Sequence, residues 1–217
     1  MSALVEKLNL FGWDLREFTE FAATVLLSLA GVATSWSSYQ SSLWSGIQST
    51  QYSRAGAQRT RSAIELNTSY QLMSVDVAVF MSWVNAYESG NERLATFYEQ
   101  RFRNEFRPAF RAWMAKRPLE NAAAPGTPFA LPEYRLKNQQ RADALDTAAN
   151  ASFEAGQYAN RCSDRYVMLT VVLALVLFSS GISQQFRLMR VRGFLLCLAS
   201  VLLAGGFVAI TQLPRAY

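Results

Sequence analysis

Residues 166–183 read YVMLTVVLALVLFSSGIS, without one charged side chain. A bilayer-spanning helix needs about 20 predominantly apolar residues, so this stretch reads as a span. Working outward, residues 193–213 (GFLLCLASVLLAGGFVAITQL) form a second uncharged run, and a third apolar stretch covers Phe21–Trp36. Serine and threonine extend that third stretch toward Tyr39. Trp13 and Phe18 flank it on one side and Trp36, Tyr39 and Trp44 on the other, in the manner of interfacial aromatic belts. The apolar run is preceded by Glu6, Asp14, Glu17 and Glu20, whereas signal peptides begin short and basic. It reads as an uncleaved span.

Composition agrees. Of 217 residues, 51% are hydrophobic and 17% charged, against roughly a quarter charged in an average soluble domain. The chain has no histidine, so the commonest general base and zinc ligand are missing. Its two cysteines, Cys162 and Cys197, exclude a four-cysteine metal site, and Cys197 lies inside an apolar run. No nucleophile motif, phosphate-binding glycine loop or acidic metal cluster is present. The expectation is a chain with no catalytic residues, no metal and no cofactor. The net charge of +5 reads as topology setting rather than nucleic-acid binding, since no recognised module accompanies it.

The expected order is an interfacial amphipathic helix over 1–18 (Leu4, Leu8, Phe11, Leu15 and Phe18 on one face), transmembrane helices over 19–39, 166–186 and 193–213, and an extended helical hairpin domain over 40–165. The short loop before the last span carries Arg187, Arg190 and Arg192 without an acid. Arginine-rich short loops stay in the cytoplasm. That places the N-terminus in the cytoplasm and residues 40–165 in the periplasm. No charged residue falls in the spans' apolar runs, which argues against an ion-driven pump.

Between the spans there is no strand alternation and little glycine, so helix is the expectation. Ser89-Gly90-Asn91 and the Pro-rich loop 118–132 (Pro118, Pro125, Pro128, Pro132) are the breaks. One helix should run from the first span to about residue 88, a second over about 92–116 with an interruption near Pro108, and a third from about 133 into the next span. Asp76 reads as exposed.

Ser28, Gly31, Ser35, Ser38, Ser42, Ser45 and Ser49 recur at alternating spacings of three and four. On the returning helix, Ala142, Leu145, Ala149, Ser152, Gly156, Ala159 and Ser163 do the same. Small seams allow close helix approach, so the two stripes are expected to pair. The alternative is that the serine stripe lines a neutral pore. Further out, Leu66, Tyr70, Met73, Val77, Phe80, Val84 and Tyr87 face Leu94, Tyr98, Phe102, Phe106, Phe110 and Trp113. Such a pattern fits an antiparallel pair within one chain or self-association.

The residues Trp36-Ser-Ser-Tyr39-Gln40, Trp44-Ser-Gly46-Ile-Gln48, Phe106-Arg-Pro108-Ala-Phe110 with Trp113, and Pro128-Phe129-Ala-Leu-Pro132-Glu-Tyr134 carry a resemblance over nearly the whole chain. It resembles uncharacterised bacterial inner-membrane proteins of the domain-of-unknown-function kind. The resemblance implies one N-terminal span, a helical excursion, two C-terminal spans and a bacterial inner membrane. It supplies no activity.

Seven Lys and Arg stand against Glu99 and Glu105 in residues 93–117. Arg103, Arg107 and Arg111 are spaced as one helical ladder, a surface for an acidic partner or lipid head groups. The chain thus reads as an all-α membrane protein with three transmembrane helices and a long extramembrane helical hairpin. Its expected function is a non-enzymatic, membrane-anchored, homo-oligomeric scaffold or assembly protein, with a homo-oligomeric passive channel as the alternative. The expected partners are the bilayer, further copies of the chain and a protein partner, with no nucleic acid.

Overall fold

The structure, a computed structural model, describes residues 14–118, 120–121 and 123–217. The greater part of the helix expected over 1–18, with Leu4, Leu8 and Phe11, lies outside the described residues. Five α-helices account for most of the rest, and no strand occurs among the described residues.

The first helix, α1, runs Leu15–Glu88. Its start is closed by half a capping box: the Asp14 backbone N–H donates to the Glu17 carboxylate at 3.2 Å. Its end is a Schellman turn. Gly90, at φ 72°, donates its N–H to the Tyr87 carbonyl and Asn91 donates to Ala86, each at 3.0 Å. A side chain at Gly90 would strain that left-handed position. Asn91 then caps α2 (Glu92–Gln100), its side-chain oxygen accepting from the Leu94 N–H.

The helix expected over 92–116 is two helices. After α2 the backbone leaves helical geometry until α3, Arg107–Met114. Pro108 lies in the first turn of α3, where its missing N–H costs nothing. A helix continued through it from upstream would meet the proline ring and lose a bond, so the break falls before the proline. A 3-10 turn at Pro128–Ala130 follows, then α4 (Lys137–Ser183) and α5 (Met189–Gln212).

Three helices, α1, α4 and α5, are long and apolar enough to cross a membrane. The chain divides into two compact units. One takes in residues to Tyr52 and from Glu154 onward, the other Ser53–Phe153. In the first, Ala30, Ala33, Tyr166, Leu173, Ala199 and Leu203 form a core. Its outward positions are just as apolar: Met168, Phe178, Phe194 and Val201 are 65–68% exposed. Its interior holds polar groups instead, including Ser37, Gln40, Ser180 and Arg192. Apolar outside and partly polar inside is the distribution that a hydrocarbon solvent permits. The second unit has an aromatic core of Phe80, Trp83, Phe102, Phe106, Phe110 and Trp113.

Candidate functional site

The densest chemistry lies in the second unit. The non-helical link between α2 and α3 turns Phe102 and Phe106 inward, where Phe106 stacks on Phe129 at 5.0 Å and meets Phe80 at 6.0 Å and Tyr134 at 5.9 Å. From the other side Trp83 meets Phe110 edge-on at 4.8 Å. The Trp113 indole N–H donates to the Pro125 carbonyl at 2.7 Å, fixing the Pro-rich loop to this core. Edge-to-face aromatic pairs of this kind contribute about 0.5–1.5 kcal/mol each beyond burial.

Beside the aromatic core sits a buried charge. Asp76, 2% exposed, accepts from Arg103 Nη1 at 2.9 Å and from the Tyr134 hydroxyl at 3.0 Å. Arg103 also bridges to Glu105. Burial pushes the Asp76 carboxyl above its ordinary value, and the Tyr134 and Arg103 contacts pull the other way. Burial, with the Asp76 charge beside it, raises the Tyr134 phenol, which stays a donor at neutral pH. Two carboxylates, one guanidinium and one phenol are mutually paired here. Such a network fixes three segments distant in sequence.

The expected exposure of Asp76 is therefore corrected. The bulky stripe on α1 is only partly the buried face: its Phe80 is buried, but Tyr70, Met73 and Tyr87 are exposed, and Ser69, Asp76, Trp83 and Ala86 are buried instead. The arginine ladder is corrected as well. Residues 101–106 are not helical, so the three arginines share no helix face. Arg103 is committed to Asp76 and Glu105, and Arg107 donates to the Gln100 carbonyl at 2.9 Å. Arg111 is exposed and lines, with Trp83, Tyr87, Glu99, Phe110 and Met114, a groove of about 520 Å³ between α2 and α3.

The two small-residue stripes part company. On α4, Ala142, Ala149, Ser152, Gly156, Ala159 and Ser163 are all buried. Within the second unit, the Ser62 hydroxyl donates to the Ala142 carbonyl at 2.8 Å and that of Ser152 to Gln58 at 2.9 Å. Within the first, Ser163 lies 3.0 Å from both Ser41 and Ser45, and the Tyr52 ring lies over Gly156. On α1, by contrast, Ser28, Ser35, Ser38, Ser42, Ser45 and Ser49 are exposed and Gly31 is half-buried. Of these seven, only Ser45 reaches the returning helix through a hydrogen bond. The buried face of α1 is Ala30, Ala33, Ser37, Gln40 and Trp44, about one position round the helix. Inside a membrane both faces are apolar or small, so spacing alone does not fix which one turns inward.

Sequence reasoning also passed over the C-terminal segment. Gln40, 1% exposed, holds Ala216 as a strand would: Nε2 donates to the Ala216 carbonyl at 3.3 Å and Oε1 accepts its N–H at 2.8 Å. The Trp44 indole and the Tyr166 hydroxyl both donate to the Pro214 carbonyl, at 3.1 and 3.2 Å. A buried glutamine on the Ala30–Trp44 face was the available signal. Both cysteines are free, and no cluster of metal-ligating side chains occurs among the described residues.

No family model matches the chain, and no curated protein or solved structure matches it.

Proposed function

We propose that the chain is a non-enzymatic membrane anchor and scaffold. On this reading it self-associates through the face of α1 that its own fold leaves unused, and residues 53–153 present a helical hairpin to partners. The observation that carries the reading is the exposure of Ser28, Ser35, Ser38 and Ser42 beside a neighbouring face, Ala30 to Trp44, that the chain's own fold buries. In the second unit, Tyr70, Met73 and Met81 repeat the pattern, at 60%, 37% and 51% exposure. An apolar face of that spacing outside a bilayer calls for a partner, and an equal-period helix of a second copy fits it. The three spans then sit in a bacterial inner membrane with the N-terminus cytoplasmic and the hairpin periplasmic. Arg107 and Arg111, not Arg103, are the cations available to an acidic protein partner.

The channel alternative uses the same serines as a pore lining. Two of them favour the dry seam, because Ser28 and Ser35 already donate to the Thr24 and Gly31 carbonyls, at 2.9 and 3.0 Å. They need no water-filled lumen. Reconstitution of the purified chain in planar bilayers tests this. The scaffold stays silent with or without Ser38→Asp. Steady currents that Ser38→Asp shifts toward cations would establish the channel instead.

A further inference from the structure

Arg192 has an environment that the rest of the fold does not explain. Its side chain is 4% exposed, and its Nε and Nη2 atoms have no hydrogen-bond acceptor. The nearest anion is Glu20 Oε1, 3.5 Å from Nη2. That oxygen is already taken by Arg16 Nε at 3.1 Å, so two guanidinium groups share one carboxylate oxygen. A guanidinium carries five N–H donors, and a buried cation without enough acceptors is costly.

The first-turn amides of α5 lie beside Arg192 on its own helix. Arg192 occupies the first turn of α5, and the N-cap residue Leu188 offers no side-chain oxygen to the first amides. Helix side chains lean toward the N-terminus, which turns the guanidinium toward those same N–H groups. A methyl group built at Gly206 would meet Leu173 and Leu169 of α4, at 3.2 and 3.6 Å. Stepping back along both antiparallel helices from that contact brings Ser183 about level with Arg192 and Ser180 a turn deeper. Ser180 is fully buried, and its hydroxyl has no partner. Arg187 and Arg190 stand exposed on the same loop and first turn. Glu20 is half-exposed and retains Arg16 as a partner if it swings away.

We propose that Arg192 is the floor of an oxyanion site at the end of the three-helix unit where α4 turns into α5. Glu20 is its exchangeable counter-ion, and a phosphate group displaces it, accepting from the Arg192 fork and the first-turn amides of α5. A helix N-terminus and a buried guanidinium are the two donor types that bind phosphate best. Because the spans place this end at a membrane surface, an anionic lipid head group and free inorganic phosphate are the two sources of that chemistry.

The test is a titration of the purified full-length chain in neutral detergent with phosphatidylglycerol, with diacylglycerol as the phosphate-free control and with inorganic phosphate. Binding is read by native mass spectrometry and thermal shift. Saturable binding of phosphatidylglycerol but not diacylglycerol is expected, weakened roughly tenfold or more by Arg192→Gln, since a charge-assisted fork is lost. Binding of inorganic phosphate at the same site, with the same dependence on Arg192, assigns the free ion as ligand and still supports the site. Glu20→Gln keeps Arg192 and removes its competitor, so it should bind several-fold tighter, and this arm stands even if Arg192→Gln does not fold. Equal binding of the two lipids with no binding of phosphate, or unchanged or weaker binding by Glu20→Gln, would overturn the proposal.

Discussion

The ring of Tyr52 packs against Gly156: a methyl group built at that glycine would come within 2.6 Å of Tyr52 Cδ1 and Cε1. Gly156 is buried in the middle of α4, where glycine is otherwise unfavourable. Gly156→Ala would gain up to about 1 kcal/mol of helix propensity but lose about 1–3 kcal/mol to overpacking. Net destabilisation in thermal unfolding is expected. In the Tyr52→Ala background the same change should become neutral or stabilising, because only propensity is left. A Gly156→Ala penalty that persists without the ring would show that the ring contact is not the cause.

The Asp76 network makes a pH-dependent prediction. The folded carboxyl is raised above its ordinary value by burial, so the native state holds that proton to higher pH than the unfolded chain does. The resulting stability is complete below the unfolded value, near pH 4, and is lost as pH rises through the folded one. The melting temperature of the wild type relative to Asp76→Asn should therefore fall as pH rises from about 4. A flat or rising difference would mean that Arg103 and Tyr134 outweigh burial. Arg103→Gln, which strands the carboxylate, should cost about 3–5 kcal/mol, and Asp76→Asn in addition should restore much of it.

Gln40 ties the C-terminal segment to α1 through two bonds. Gln40→Leu leaves the Ala216 N–H and carbonyl without those partners, at about 1–3 kcal/mol for buried polar groups. The segment after Leu213 should then become sensitive to carboxypeptidase in the folded protein. Gln40→Glu keeps the acceptor and loses the donor, so its sensitivity should fall between the two. Equal resistance in all three would assign the anchoring to Trp44 and Tyr166 alone.

Topology is testable with single cysteines in a Cys197→Ser background, since Cys197 is exposed and Cys162 buried. An impermeant thiol reagent applied from outside should label a cysteine at Thr127 and spare one at Leu188. The reverse pattern would invert the orientation.

Much of the fold was legible because its signals are local. Uncharged runs marked the three long apolar helices, Gly90 the turn after α1, and Pro108 a break. What lay beyond reach was phase and distant pairing. In α1 small residues recur at helical spacing on both the exposed and the buried side, so the serine stripe and the Ala30–Trp44 face give the same periodic signal. Asp76 looked exposed because its cation stands at position 103 and its phenol at 134, and nothing in the spacing around residue 76 reveals either. Arg192 read as a loop charge because its carboxylate, Glu20, belongs to a different helix.

The exposed stripe of α1 is expected to meet the same stripe of a second copy. In the Cys197→Ser background, Ser35→Cys, Ser42→Cys and the buried control Ser37→Cys can be oxidised in native membranes and read on non-reducing gels. Covalent dimers are expected for Ser35→Cys and Ser42→Cys and none for Ser37→Cys. Monomers from both stripe positions, under conditions that oxidise an exposed loop cysteine, would contradict the pairing and leave the stripe facing lipid.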